Sequence, residues 1–291
     1  MTIAFVGLGS MGTPMARNLI AAGFDLSGYD MSAKALDMFE RNGGKPAPTA
    51  AKAAAGAEVA LLMVVNAAQA EQVLFTDGVV DALLPGGVVV LMSTCPPGAV
   101  KGIAARVEKT GRSFVDAPVS GGVAGAESAA LTIMVGTSKD NFERVLPMLR
   151  ALGDKLFHVG TEAGQGAAVK VVNQLLCGVH IAAAAEGFAL ASKAGIDPQV
   201  LLEILGGSAA SSWMLKDRGP RMLQEDPEVT SAVDIFVKDL GLVLEAGREA
   251  KAALPLAASA YQMFLTTSGR GDGAADDSQV IRSYDLINRG A

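Results

Sequence analysis

Only two cysteines and two histidines occur in the 291 residues, and Cys95 and Cys177 are far apart. So few soft or imidazole donors leave no spacing for a zinc site, and the two thiols form no disulfide framework. A reducing cytoplasm is the expected location, because MTIAFVGLG at the N-terminus has no basic region followed by an apolar secretion core. A cationic block is missing too: 24 Lys and Arg against 30 Asp and Glu give a net charge of −6. Neither nucleic acid nor an anionic membrane is an expected partner, and an anionic ligand must be met by local cations or backbone donors. No fixed-period repeat and no long linker appears. The most apolar long run, 167–185, contains Lys170, Asn173, Gln174 and His180, each costly in lipid, so it reads as a buried helix and not a membrane span. Tryptophan occurs once, at Trp213, to close a pocket or to anchor the core.

Half of the residues are hydrophobic, 50%, enough for a sizeable core. Short apolar runs at 2–6, 26–29, 59–65, 88–92, 114–115, 131–135 and 156–159 read as strands. Helical periodicity fills 11–22, 32–42, 67–75, 97–109 and 138–152. Such alternation predicts an α/β, doubly wound, mostly parallel sheet covered by helices on both faces. Beyond residue 164 the strand signals stop, and 166–194, 197–206, 233–251 and 255–267 read as helices. The expected division is therefore 1–162 as the sheet domain and 163–291 as an all-helical domain, with 166–194 as the connecting helix. Among the acidic residues Asp272, Asp276 and Asp277 the rest of a calcium loop is absent, and Asp277-Ser278 reads as a helix start.

The turn after the first strand reads GLGSMG, which places Gly7, Gly9 and Gly12 in the G-x-G-x-x-G spacing around Leu8, Ser10 and Met11. The first glycine permits the tight turn, the second lets a pyrophosphate approach the backbone, and the third lets helix and strand pack closely. Three glycines among 34 carry little alone, and an ordinary tight turn is the alternative. Context strengthens them, because Asp30 ends the next strand eighteen residues after Gly12. A carboxylate there accepts from both ribose hydroxyls and repels a 2′-phosphate, so the expected cofactor is NAD and not NADP. Capping the next helix is the alternative for Asp30.

GQGAAVKVVNQ, 164–174, sets a lysine inside an apolar helical pattern, where an ammonium needs a partner or a lowered pKa. At about 100° per residue, Lys170, Asn173, Cys177 and His180 share an arc of roughly 80°, with Gln174 just outside. A polar stripe on such a helix is expected to face a cleft between the two domains. Moving a hydride between a nicotinamide and a carbonyl requires a proton donor or acceptor at the oxygen, a task Lys170 suits, with Asn173 one turn on. The alternative is a snorkelling lysine and a capping asparagine. DAPVSGG, 116–122, ends a strand; the Ser120 hydroxyl and the N–H groups of Ser120, Gly121 and Gly122 can wrap a carboxylate, or form only a flexible turn. Lys238, in DIFVKDLGL, is either a cation for the ligand or a solvated helix charge.

GLGSMG, STCPPGAV, DAPVSGGVAGAESAALTIMVG, GQGAAVKVVNQ and FVKDL, in that order, resemble the β-hydroxyacid dehydrogenases, which include 3-hydroxyisobutyrate dehydrogenase and tartronate semialdehyde reductase. The similarity spans essentially the whole chain. It implies a Rossmann domain, a long interdomain helix, an all-α C-terminal domain for substrate binding and oligomerisation, and a homodimer or homotetramer. It also implies that Lys170 is the catalytic acid/base and that Asn173 orients substrate or nicotinamide. Ser120, Gly121, Gly122 and Lys238 would hold the substrate, while Val65, Asn66, Thr94 and Lys238 would lie against the cofactor.

VVNAAQAEQVLF, NQLLCGVHIAAAAEGFALA, SSWMLKDR and DDSQVI look like a subgroup that oxidises the C2 hydroxyl of a four-carbon sugar acid with NAD. The substrate so implied is L-threonate, oxidised to 2-oxo-tetronate. Val64-Val65-Asn66 departs from the Met-Leu-Pro usual in 3-hydroxyisobutyrate dehydrogenases, and Asn66 and His180 are candidate partners for extra hydroxyls. Oxidation of 3-hydroxyisobutyrate, reduction of tartronate or succinic semialdehyde, and a non-catalytic NAD-binding sensor or reader are the alternatives.

Overall fold

The computed structural model describes residues 1–288, apart from the side chains of 285 and 286, and the chain divides into two compact units at Lys170/Val171.

In the first unit the strands are β1 (Thr2–Val6), β2 (Asp25–Tyr29), β3 (Lys45–Pro46), β4 (Val59–Leu62), β5 (Val88–Leu91), β6 (Ser113–Asp116), β7 (Val119–Ser120), β8 (Thr132–Gly136) and β9 (Lys155–Gly160). Interleaved with them are helices α1 (Gly12–Ala21), α2 (Ala33–Arg41), α3 (Ala50–Ala54), α4 (Ala67–Glu71), α5 (Val79–Ala82), α6 (Pro97–Glu108), α7 (Gly122–Glu127) and α8 (Lys139–Arg150). The sheet runs β3-β2-β1-β4-β5-β6-β8-β7, with β9 on β8. Every pairing is parallel except β6–β8 and β7–β8.

β4 (VALL) and β5 (VVVL) are buried along their whole length, as strands covered on both faces require. One face packs Phe5, Leu61, Val90 and Val115; the other packs Ala4, Leu62, Val89 and Leu91. Strand order reverses between β1 and β4, so the carboxyl ends of these strands form the crevice where a doubly wound sheet takes its ligand.

Several elements differ from the sequence reading. The strand expected over 59–65 ends at Leu62, because the Val64 and Val65 N–H groups leave the ladder for Ser93 Oγ (2.9 Å) and Gln69 Oε1 (3.0 Å). α4 passes into a π turn over Gln72–Thr76. β3, α3, α5, β7 and α7 have six residues or fewer, too short to impose a period.

The second unit is helical among its described residues. α9 (Gln165–Lys193) begins in the first unit and is followed by α10 (Pro198–Gly207), α11 (Trp213–Met222), α12 (Val233–Glu249), α13 (Pro255–Thr267) and α14 (Ile281–Asn288). Ile181, Ala185, Phe188, Phe236, Leu240 and Phe264 fill its core, with the Phe236 and Phe264 rings stacked 5.1 Å apart. Sequence periodicity missed α11 because Gly219-Pro220 lies inside it. Trp213 opens that helix 57% exposed, so it is not a core anchor. The cap near residue 277 is corrected by one position: Asp276 accepts the Ser278 N–H, whereas Asp277 pairs with Arg218. Asp272 is tied to Arg282, so arginines hold all three carboxylates.

Candidate active site

The residues expected to bind nucleotide lie at the carboxyl ends of β1, β2, β4 and β5. Gly7 follows β1 with φ +96°, and a Cβ there would collide with the Met63 carbonyl. A Cβ on Gly12 would strike the Gly7 carbonyl, which is how the third glycine brings α1 against the turn. At Gly9 a Cβ would meet nothing within 4 Å, so the backbone stands open toward a ligand. Leu8 is buried, Ser10 exposed and Met11 half-buried. These features fit the pyrophosphate of NAD. Gly12→Ala is therefore expected to abolish measurable NAD binding by titration calorimetry while the sheet stays folded by circular dichroism.

Asp30 accepts the Leu8 N–H at 2.7 Å through Oδ2 and the Ser32 N–H at 2.8 Å through Oδ1. The cap of α2 is Ser32, whose hydroxyl accepts from Ala35 N–H. Asp30 thus ties the end of β2 to the glycine turn, where a ribose would lie, and does not serve as that helix's cap.

Thr94 is half-buried beside Ser93, whose Oγ accepts the Val64 N–H. Val65 is 51% exposed. Asn66 Oδ1 caps α4 by accepting the Gln69 N–H at 2.9 Å, which leaves its Nδ2 as the side-chain donor for a ligand. Ser93 and Gln69, which the sequence reading did not select, hold this segment in place.

DAPVSGG forms more than a flexible turn. Ser120 pairs with Thr132 across β7 and β8, and Gly121 and Gly122 take φ of +134° and +61°, values that side chains disfavour. Asp116, at the end of β6, is 1% exposed, and its Oδ2 accepts the N–H groups of Gly164 and Ala167 at 2.9 Å each. Burial, working against these donors, raises its pKa from 3.8 to about 6. The sign of the linkage follows: a folded pKa above the unfolded one gives stability that is present below pH 3.8 and lost as pH rises through about 6. Asp116→Asn is therefore expected to raise the unfolding free energy at pH 8 by at most about 3 kcal/mol and to gain nothing at pH 4, as read by urea denaturation.

Lys170 is 7% exposed on α9. One turn on, Asn173 Nδ2 donates to Gln174 Oε1 (2.8 Å) and to Cys177 Sγ (3.4 Å). Gln174, outside the polar arc expected from periodicity, is itself buried, and its Nε2 donates to Asp239 Oδ2. Asp239 Oδ1 lies 2.8 Å from Lys238 Nζ, so the Lys238 charge is directed by its buried neighbour and is not simply solvated. His180 is half-buried on the same helix.

Residues 2–160 match the family described as the NAD binding domain of 6-phosphogluconate dehydrogenase. Residues 164–284 match the one described as NAD-binding of NADP-dependent 3-hydroxyisobutyrate dehydrogenase. The L-threonate dehydrogenase of Cupriavidus necator is 42% identical over 283 residues, covering 97% of this chain and 95% of its own. That of Escherichia coli K12 is 40% identical over 287 residues, 98% and 95% of the two chains. A crystal structure of 3-hydroxyisobutyrate dehydrogenase from Salmonella typhimurium superposes with a TM-score of 0.91 at 40% identity, covering 97% of this chain and 99% of that one. With both halves matched and relatives of this identity aligned almost end to end, the chain belongs to the NAD-dependent hydroxyacid dehydrogenases related to 3-hydroxyisobutyrate dehydrogenase.

Proposed function

We propose that the protein oxidises the C2 hydroxyl of L-threonate to 2-oxo-tetronate, with Lys170 as the general acid/base. The observation that carries this reading is a lysine buried to 7% exposure near the start of α9 in a chain whose glycine turn is intact. A lysine amine in its neutral form takes a hydroxyl proton. NAD, when bound, supplies the hydride acceptor. Lys170 Nζ removes the hydroxyl proton in oxidation and returns it in reduction. Asn173 orients the same oxygen, and the Ser120 hydroxyl with the Gly121 and Gly122 N–H groups receives the substrate carboxylate. Lys238, aligned by Asp239, adds positive charge. A sensor that only binds NAD needs neither a buried lysine nor the Asn173 amide.

Relatives of about 40% identity bear two substrate names, L-threonate and 3-hydroxyisobutyrate. The polar run Asn173, Gln174, Cys177 and His180 supports the hydroxylated acid, because a site that pairs hydroxyls loses those bonds with a methyl-bearing substrate. With NAD, kcat/KM is expected to be on the order of 10² or more higher for L-threonate than for 3-hydroxyisobutyrate. A panel that also contains glycerate and 4-hydroxybutyrate checks this, and preference for 3-hydroxyisobutyrate defeats the substrate assignment. Asp30 should hold NADP about 10²-fold below NAD in kcat/KM, since like charges brought together cost several kcal/mol. Asp30→Ala should narrow that gap. Val172, Leu176 and Leu190 are 59%, 48% and 70% exposed on α9, which supports a homodimer or homotetramer. The cytoplasm is the proposed location.

A further inference from the structure

Asp116 stands four residues before Ser120, and its carboxylate reaches across 48 residues to Gly164 and 51 to Ala167. A single oxygen thereby takes two of the N–H groups that the first turn of α9 cannot satisfy internally. The seat is shaped for this approach. A Cβ on Gly166 would run into the Met134 carbonyl and come within 3.1 Å of Asp116 Oδ2. One on Gly136 would lie 2.7 Å from the Glu162 carbonyl and 2.8 Å from the Gly166 nitrogen. Glycine at both positions is what lets the start of α9 rest on the ends of β6 and β8. Lys170 follows Ala167 by three residues, on the same side of the helix. The same carboxylate therefore belongs at one end to the strand that leads into the Ser120–Gly122 turn, and at the other to the helix start that carries Lys170.

We infer that Asp116 is a positioning residue for the reaction: by docking the first turn of α9 on the end of β6, it sets the place of Lys170 relative to the Ser120–Gly122 turn. The inference rests on the reading of Lys170 as acid/base and adds a residue that touches neither substrate nor cofactor. α9 continues for 29 residues, and Ile181, Ala185 and Phe188 anchor it in the second unit's core. Release of its first turn thus displaces that turn without dissolving the helix. A displacement of about one residue's rise, ~1.5 Å, is of the size that misaligns a proton transfer.

The test uses the full chain with NAD and the hydroxy acid it turns over fastest, and compares Asp116→Ala, Gly166→Ala, Asp116→Asn and Lys170→Ala. Asp116→Ala and Gly166→Ala are each expected to lower kcat by about 10²-fold with the NAD dissociation constant unchanged. Faster amide hydrogen exchange over 164–168 should accompany that loss. Asn places an amide oxygen where Oδ2 lies, so Asp116→Asn should restore kcat. Folded Ala variants with wild-type kcat and only a lower thermal midpoint overturn the inference, and so does an inactive Asp116→Asn. Should Asp116→Ala not fold, Gly166→Ala, which retains the carboxylate, decides. If Lys170→Ala is inactive while the other three turn over normally, the inference alone fails. Turnover by Lys170→Ala removes the reading beneath it.

Discussion

Lys170→Ala is expected to lower kcat for hydroxy-acid oxidation by about 10²–10⁴-fold, the range that a positioned general acid or base contributes. Hydride cannot leave a carbinol carbon to give a neutral carbonyl unless the hydroxyl proton also leaves, and on the proposed reading the variant has lost the group that takes it, a side chain only 7% exposed. NAD affinity should be little altered, because the residues proposed to cradle the dinucleotide, the glycine turn and Asp30, lie on the turn after β1 and at the end of β2. Lys170→Arg is the sharper control. It keeps length and positive charge, yet a guanidinium stays protonated and accepts nothing, so it should be as inactive as the alanine variant. Ethylamine added to Lys170→Ala should recover part of the rate by supplying the missing base. Initial rates of NADH formation check all three, and a kcat for Lys170→Ala close to that of the wild type excludes this amine from proton transfer.

The parts of the site legible in the sequence are those with local requirements. Gly7, Gly9, Gly12 and Asp30 declare themselves through a spacing that one strand, one turn and one helix impose, and the structure ties Asp30 to Leu8 N–H at 2.7 Å. Lys170 shows itself as a charge inside an apolar period. Contacts made over long separations have no period to reveal them. The hydrogen bonds of Asp116 to Gly164 and Ala167 are of this kind, although a carboxylate embedded in SFVDAPV is a sign of a buried partner. Helix geometry puts Gln174 just outside the polar arc, and the partner it has there, Asp239, 65 residues later, is one that no period reveals. Asn66 resembles a ligand group in sequence and also caps α4 in the structure, since a polar residue before a short helix serves its own backbone first. The mostly parallel sheet is legible from alternation, while the antiparallel β7 and the helix α11 are not, one being too short and the other interrupted by proline.

Asp277→Ala is expected to cost about 3–5 kcal/mol of folding stability, the penalty for stranding a buried charge. Asp277 is fully buried and binds Arg218 with both oxygens, Oδ1 to Nε at 2.9 Å and Oδ2 to Nη2 at 2.8 Å. Burial works against the Arg218 charge, but Asp277 and Asp217 outweigh it and hold the guanidinium above its ordinary pKa. Three residues on, Arg221 bridges Asp217 (2.8 Å) and Asp276 (2.9 Å), so one face of α11 fastens the 276–280 segment through two arginines and three carboxylates. Removing Asp277 leaves Arg218 buried with Asp217 as its remaining carboxylate. The Arg282–Asp272 pair, with side chains 32% and 27% exposed, is the internal comparison, and Asp272→Ala should cost no more than about 1 kcal/mol. Replacing both members of the buried pair, Arg218→Met with Asp277→Leu, should recover most of the loss, because no charge is then left unpaired. Urea unfolding of the three variants measures these costs. Equal costs for Asp277→Ala and Asp272→Ala would mean that packing around α11, and not this ion network, holds the segment in place.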